Sequence, residues 1–173
     1  MSPQQAFYLL KHFLNLEDEI YKEFEQHGIN KSQILNQFEI IGSKFHSTFC
    51  QNPFQIINEI KKGRLINEIH QSNGRTAFVY KYELSIGTQQ ITSIENCSGM
   101  KIEEELRGLQ RIKVVKMRSL PETNYCTLVL DIENQFITAF PGSYAPAFPS
   151  DWMTTKEFEE ANSYWENHVF IKQ

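Results

Sequence analysis

Five histidines, one run of cations and a pair of hairpin threonines are the residues in this chain whose types and spacing could do chemistry. The cationic run is Arg107, Arg111, Lys113, Lys116 and Arg118. No acid interrupts it before Leu120, although the chain as a whole carries a net charge of −4. Arg111 and Lys113 share one parity, Lys116 and Arg118 the other. A bulge near Val114-Val115 would gather all four on one face and make a phosphate track. The competing reading is an exposed or edge strand guarded by Lys and Arg against mispairing. Histidine titrates near neutrality and suits general acid and base roles. His70 ends an expected strand just before a turn, and His46 lies beside the apolar stripe of an expected helix. His12 and His27 fall on polar helical positions and read as surface groups, and His168 lies among aromatics near the C terminus. Thr127 and Thr138 either orient a phosphate or simply satisfy strand preference. Base, acid, cation and hydroxyl together form a set able to move protons at a phosphodiester.

The elements that must position these groups follow from periodicity. Ser2-Pro3 opens a helix, with Ser as cap and Pro in the first turn. Apolar residues then recur at helical spacing to Phe24, and His27-Gly28 stops the unit. A helix is expected over Lys31–Phe49, bent at Gly42-Ser43, and a short one from Asn52-Pro53 to Gly63. From Arg64 the period changes to two. Strands are expected over Arg64–His70, Arg75–Leu84 and Arg111–Leu120. A hairpin over Asn124–Phe140 turns at Glu133-Asn134. Pro141, Gly142, Pro146 and Pro149 follow, with Tyr144 and Phe148 between them. This stiff loop could stack a base on Tyr144 or cap the core. A last helix starts at Thr154, and the end of the chain docks as an extended segment. Helices first and strands after give an α+β fold, read as one domain: a helical part over 1–63, a curved, mainly antiparallel sheet over 64–149, and a C-terminal helix and tail over 150–173.

Composition narrows the classes further. The chain has 173 residues, 40% of them hydrophobic, and suits one domain with a sizeable core. The acidic balance argues against broad, non-specific binding of nucleic acid. Cys50, Cys97 and Cys126 are odd in number and far apart, so buried thiols of a reducing, cytoplasmic compartment are expected rather than a disulfide framework. No HxH, HExxH, Gly-rich phosphate loop or GxSxG motif occurs, so the reading includes no metal, no cofactor and no serine-hydrolase elbow. No apolar run is long enough to span a membrane.

The stretch from Arg64 to Pro149 resembles small bacterial ribonuclease toxin domains of the barnase–EndoU–colicin–RelE group. The likeness rests on helices preceding a sheet, on Ser85-Ile86-Gly87-Thr88, and on Leu120-Pro121-Glu122-Thr123 leading into Thr127–Leu130. It rests most on Phe136-Ile137-Thr138-Ala139-Phe140-Pro141-Gly142, similar to the ending of the last strand in several such toxins. The segment Phe158–Ile171 is similar to bacterial proteins sharing this order of motifs. The resemblance implies RNA cleavage by 2′-hydroxyl attack without metal. His70 (or His46) would transfer the proton, Arg118 with Arg111, Lys113 and Lys116 would hold phosphate, Thr138 would orient it and Tyr144 would stack a base. The alternative is a non-catalytic module, an immunity or adaptor protein, that uses the Pro-aromatic loop to hold a protein partner; a negative net charge suits masking of a basic enzyme.

Overall fold

A computed structural model describes every residue, Met1–Gln173. Helix α1 (Pro3–Leu9) begins at Ser2, whose hydroxyl accepts from the Gln5 N–H while the Gln5 side chain accepts from the Ser2 N–H. It tightens into a 3-10 turn, Leu10–His12. Helix α2 (Asp18–Gln26) ends before Gly28, whose φ of 80° suits glycine. Helix α3 (Lys31–Phe38) starts at a capping box on Asn30. It stops eleven residues short of the helix expected over Lys31–Phe49. The reason is tertiary. Phe45 enters the core, its N–H donates to the His12 carbonyl, and the His46 N–H donates to the Ile86 carbonyl. The backbone after Phe38 thus finds partners outside any helix. A 3-10 turn over Pro53–Gln55 leads into helix α4 (Ile56–Ile60).

The strands are β1 (Arg64–His70), β2 (Thr76–Lys81), β3 (Gly87–Thr88), β4 (Ile91–Ser93), β5 (Ile102–Arg107), β6 (Gln110–Lys116), β7 (Glu122–Thr123), β8 (Tyr125–Leu130) and β9 (Phe136–Pro141). Helix α5 (Thr155–Glu166) and strand β10 (His168–Lys172) complete the α+β fold. The strands form two four-stranded sheets, not one. The first, β1-β2-β8-β9, is antiparallel throughout. The second, β4-β10-β6-β5, includes a parallel β10–β6 pair, because α5 carries the chain back before β10 enters. A small ladder of β3 and β7 joins them, and Phe45 bridges to Gly87 at its edge.

The helices α1–α4 pack on one face of the first sheet, where Phe13, Phe24, Phe45 and Ile56 meet Leu128 and Ala139. Strand β8 is interior, so Cys126, Thr127, Leu128 and Val129 are all buried, with no alternation of burial along them. In the second sheet Ile112 and Val114 pack under Trp165 of α5. Val115, Val169 and Ile171 pack with Cys97 and Leu120 on the other face. The hairpin turn runs over Asp131–Gln135, longer than the two residues expected. Asn134 takes the positive φ, 61°, and the Asp131 carboxylate accepts from the Glu133 and Gln135 N–H groups.

Candidate active site and the adjoining cleft

The structure disperses the residues the sequence assembled. His70 lies on β1 and Thr138 on β9, the two edges of the first sheet, three strand spacings or roughly 14 Å apart. The His70 side chain is 76% exposed, with its Nδ1 3.2 Å from the Thr76 hydroxyl. Arg118 belongs to the other sheet, just past β6. The expected bulge at Val114-Val115 is absent: β6 pairs in unbroken register with both β5 and β10. The cations therefore divide between its two faces, and β6 is an interior strand rather than an edge. Lys113 donates to the Glu166 carbonyl at the end of α5, a structural role. Arg111 is exposed on the same side. Lys116 and Arg118 line an open groove with Lys101 and Lys172, but Glu103 and Glu105 share it and pair with those two lysines. Thr138 and Tyr144 do meet, in a groove with Arg75, Trp152, Glu157 and Glu160. The Tyr144 ring stands edge-on to Tyr164, 6.2 Å away, and burial pushes its hydroxyl up to about 12.

One histidine does meet partners fit for proton transfer. His46 Nε2 lies 2.5 Å from Glu122 Oε2, and the same oxygen accepts from the Ser85 hydroxyl at 2.5 Å. Three separate stretches supply these residues, and the β3–β7 ladder brings them together. Thr88 stands opposite Glu122, the Lys44 N–H donates to the Thr88 hydroxyl, and the Thr88 N–H donates to the Lys44 carbonyl. Gly87 makes this approach possible, since a Cβ there would come within 2.2 Å of the Lys44 carbonyl oxygen. The cluster is open to solvent: the His46 side chain is 32% exposed and that of Glu122 61%. Glu122 is held below the ordinary carboxylate range, first by the Ser85 hydroxyl and then by His46. A carboxylate only accepts, so His46 presents Nε2–H to it. The order differs from a nucleophilic triad, in which the imidazole stands between hydroxyl and carboxylate. Here the carboxylate contacts both, an arrangement suited to acid–base exchange between Glu122 and His46, with Ser85 steadying the anion. The nearby Lys44 ammonium donates to the Lys11 and Phe38 carbonyls and is occupied there.

Beside this cluster lies a cleft of about 340 Å³ under the Pro-aromatic loop. Gln89, one residue past β3, donates its N–H to the Pro121 carbonyl next to Glu122, and its side chain lines the cleft. His12 lines it too. The expectation of a surface His12 fails because the 3-10 turn after α1 swings the ring inward. Its Nδ1 lies 2.9 Å from the Ser43 carbonyl, which can only accept, so Nδ1 carries the proton and Nε2 is a free acceptor. Desolvation lowers the pKa of this ring to about 4, and it is neutral at physiological pH. Rings of Phe140, Phe148 and Trp165 wall the cleft, and no Asp, Glu, Lys or Arg lines it.

Sequence reasoning weighed His46 but missed Glu122, Ser85 and His12 as site residues. Glu122 is 76 positions from His46 and no local spacing links them; the only trace was that Ser85–Thr88 and Leu120–Thr123 both stood out as motifs. A scan of the chain against protein-family models and a search of curated proteins find no match.

Proposed function

We propose that this protein cleaves RNA by metal-independent acid–base chemistry, with the reaction centred on His46 and Glu122 in place of His70 and Arg118. The observation that carries the reading is the solvent-open contact of an imidazole and an ionised carboxylate, 2.5 Å apart, on the short ladder that joins the two sheets. The choice of RNA rests on the resemblance of the Arg64–Pro149 stretch. Glu122 is the base that takes the 2′-hydroxyl proton, and His46 is the acid that protonates the leaving 5′-oxygen. For both to act, the phosphate must enter between them and part the resting pair, and the imidazolium then meets the phosphate charge. Ser85 keeps Glu122 ionised until it accepts the proton.

The test is total RNA or tRNA incubated in EDTA with wild type, His46→Ala, Glu122→Gln and His70→Ala, read on a denaturing gel. Wild type and His70→Ala should give the same fragments, and the two site variants should lose at least about a hundredfold in rate, the usual contribution of one general acid or base. A second reading, the protein-binding module, is favoured by the dispersal of the cations on two faces of β6 and by the pairing of the neighbouring Arg107 and Lys172 with Glu105. Intact RNA with all four proteins folded would select it.

A further inference from the structure

We propose that the cleft beneath the Pro-aromatic loop is a nucleobase-binding site. The placement of this site beside a cleavage centre rests on the reading above; the capacity to bind a base rests on the cleft alone. Its chemistry is specific in what it lacks. No charged side chain lines it, so neither a phosphate nor a charged amino acid has a partner there. Its walls are aromatic, Phe140, Phe148 and Trp165, with Phe148 packed 4.8 Å from Trp165 between ring centroids. Flat, neutral, aromatic ligands bind such walls through stacking. Its polar groups are those that read base edges. Gln89 and Gln90 each offer an amide with paired donor and acceptor, the arrangement that pairs with adenine in bidentate fashion. With Nδ1–H given to the Ser43 carbonyl, His12 Nε2 is left as an acceptor in a residue that lines the cleft, and it suits an exocyclic amine. The volume of about 340 Å³ is at the small end for ligand pockets and admits a base with part of its sugar rather than a larger ligand. The N–H of Gln89, a lining residue, bonds to the Pro121 carbonyl, which ties the cleft to the ladder that carries Glu122.

Trp165 is a wall of the cleft and a natural reporter. In a Trp152→Phe background, Trp165 fluorescence would be followed while adenosine, guanosine, cytidine or uridine is added, with calorimetry as a second readout. Adenosine should saturate with Kd below about 1 mM and the pyrimidine nucleosides should bind more weakly. Ala147→Phe, at an exposed position on the rim, fills the mouth and should weaken binding by about tenfold or more. His12→Phe keeps the ring, removes the acceptor and should erase the preference for adenosine. Absence of saturation by every nucleoside up to about 10 mM, or binding untouched by Ala147→Phe, would overturn the proposal. Binding without any RNA cleavage would leave the nucleobase site standing and remove the cleavage reading; cleavage without nucleoside binding would do the reverse.

Discussion

At the scale of single residues, His12 shows how burial fixes a protonation state. The ring is half-buried, its Nδ1–H is given to the Ser43 carbonyl, and Lys11 and Lys44 add repulsion against a second proton. The native state therefore refuses a proton that the unfolded chain accepts near the ordinary histidine pKa of about 6.5. The sign follows by linkage. Stability is full above pH 6.5 and falls as the pH drops toward 4, because the unfolded state binds more protons throughout that window. With the ring in partial contact with water, the loss between pH 7 and pH 5 should be about 1–2 kcal/mol. His12→Asn keeps a donor for Ser43 and removes the titration. Urea melts at the two pH values should show that decrement in wild type and not in the variant; equal decrements would place the ring's proton affinity near normal.

At the scale of elements, the site depends on a ladder of two short strands. Residues 44–46, 86–88 and 121–123 run side by side, and Gly87 is the residue that allows the first to reach the second. Gly87→Ala forces the Lys44 carbonyl away, and overpacking of this kind costs about 1–3 kcal/mol. The expected result is a lower melting temperature together with an NMR shift of the His46 ring, as it parts from Glu122. A stable variant with an unchanged His46 signal would show that the ladder does not hold the pair. The same scale explains why the cationic strand is not a phosphate track. With β5 on one side and β10 on the other, β6 has no free edge, and its side chains alternate strictly.

At the scale of the whole molecule, two sheets with separate apolar clusters are joined by the small ladder and the Pro-aromatic loop, and the two clefts lie on either side of that loop. All three cysteines are buried in these clusters as free thiols. Burial pushes the Cys50 thiol up to about 11 and raises that of Cys126 well above its ordinary range, so neither is a thiolate at neutral pH. A disulfide reagent should leave the native protein unmodified and label all three on unfolding in urea. Rapid labelling of a native cysteine would mean that its cluster opens locally.

The sequence by itself determined what short-range physics controls. Caps at Ser2, Asn52 and Thr154 set helix starts, Asn134 marked the hairpin turn, and the change of period at Arg64 marked the passage from helices to strands. These signals act within a few residues, through the backbone conformations and local hydrogen bonds that each side chain permits. Only the tertiary structure decided where α3 ends, that the strands divide into two sheets, and which histidine meets a carboxylate. The Lys31–Phe49 segment reads as helical to its end, yet burying Phe45 and bonding the Phe45 and His46 N–H groups to the His12 and Ile86 carbonyls outweighs helix propensity. His46, Ser85 and Glu122 lie in three stretches with unremarkable spacing. What joins them is the pairing of three short backbone segments, and that pairing depends on contacts between residues dozens of positions apart.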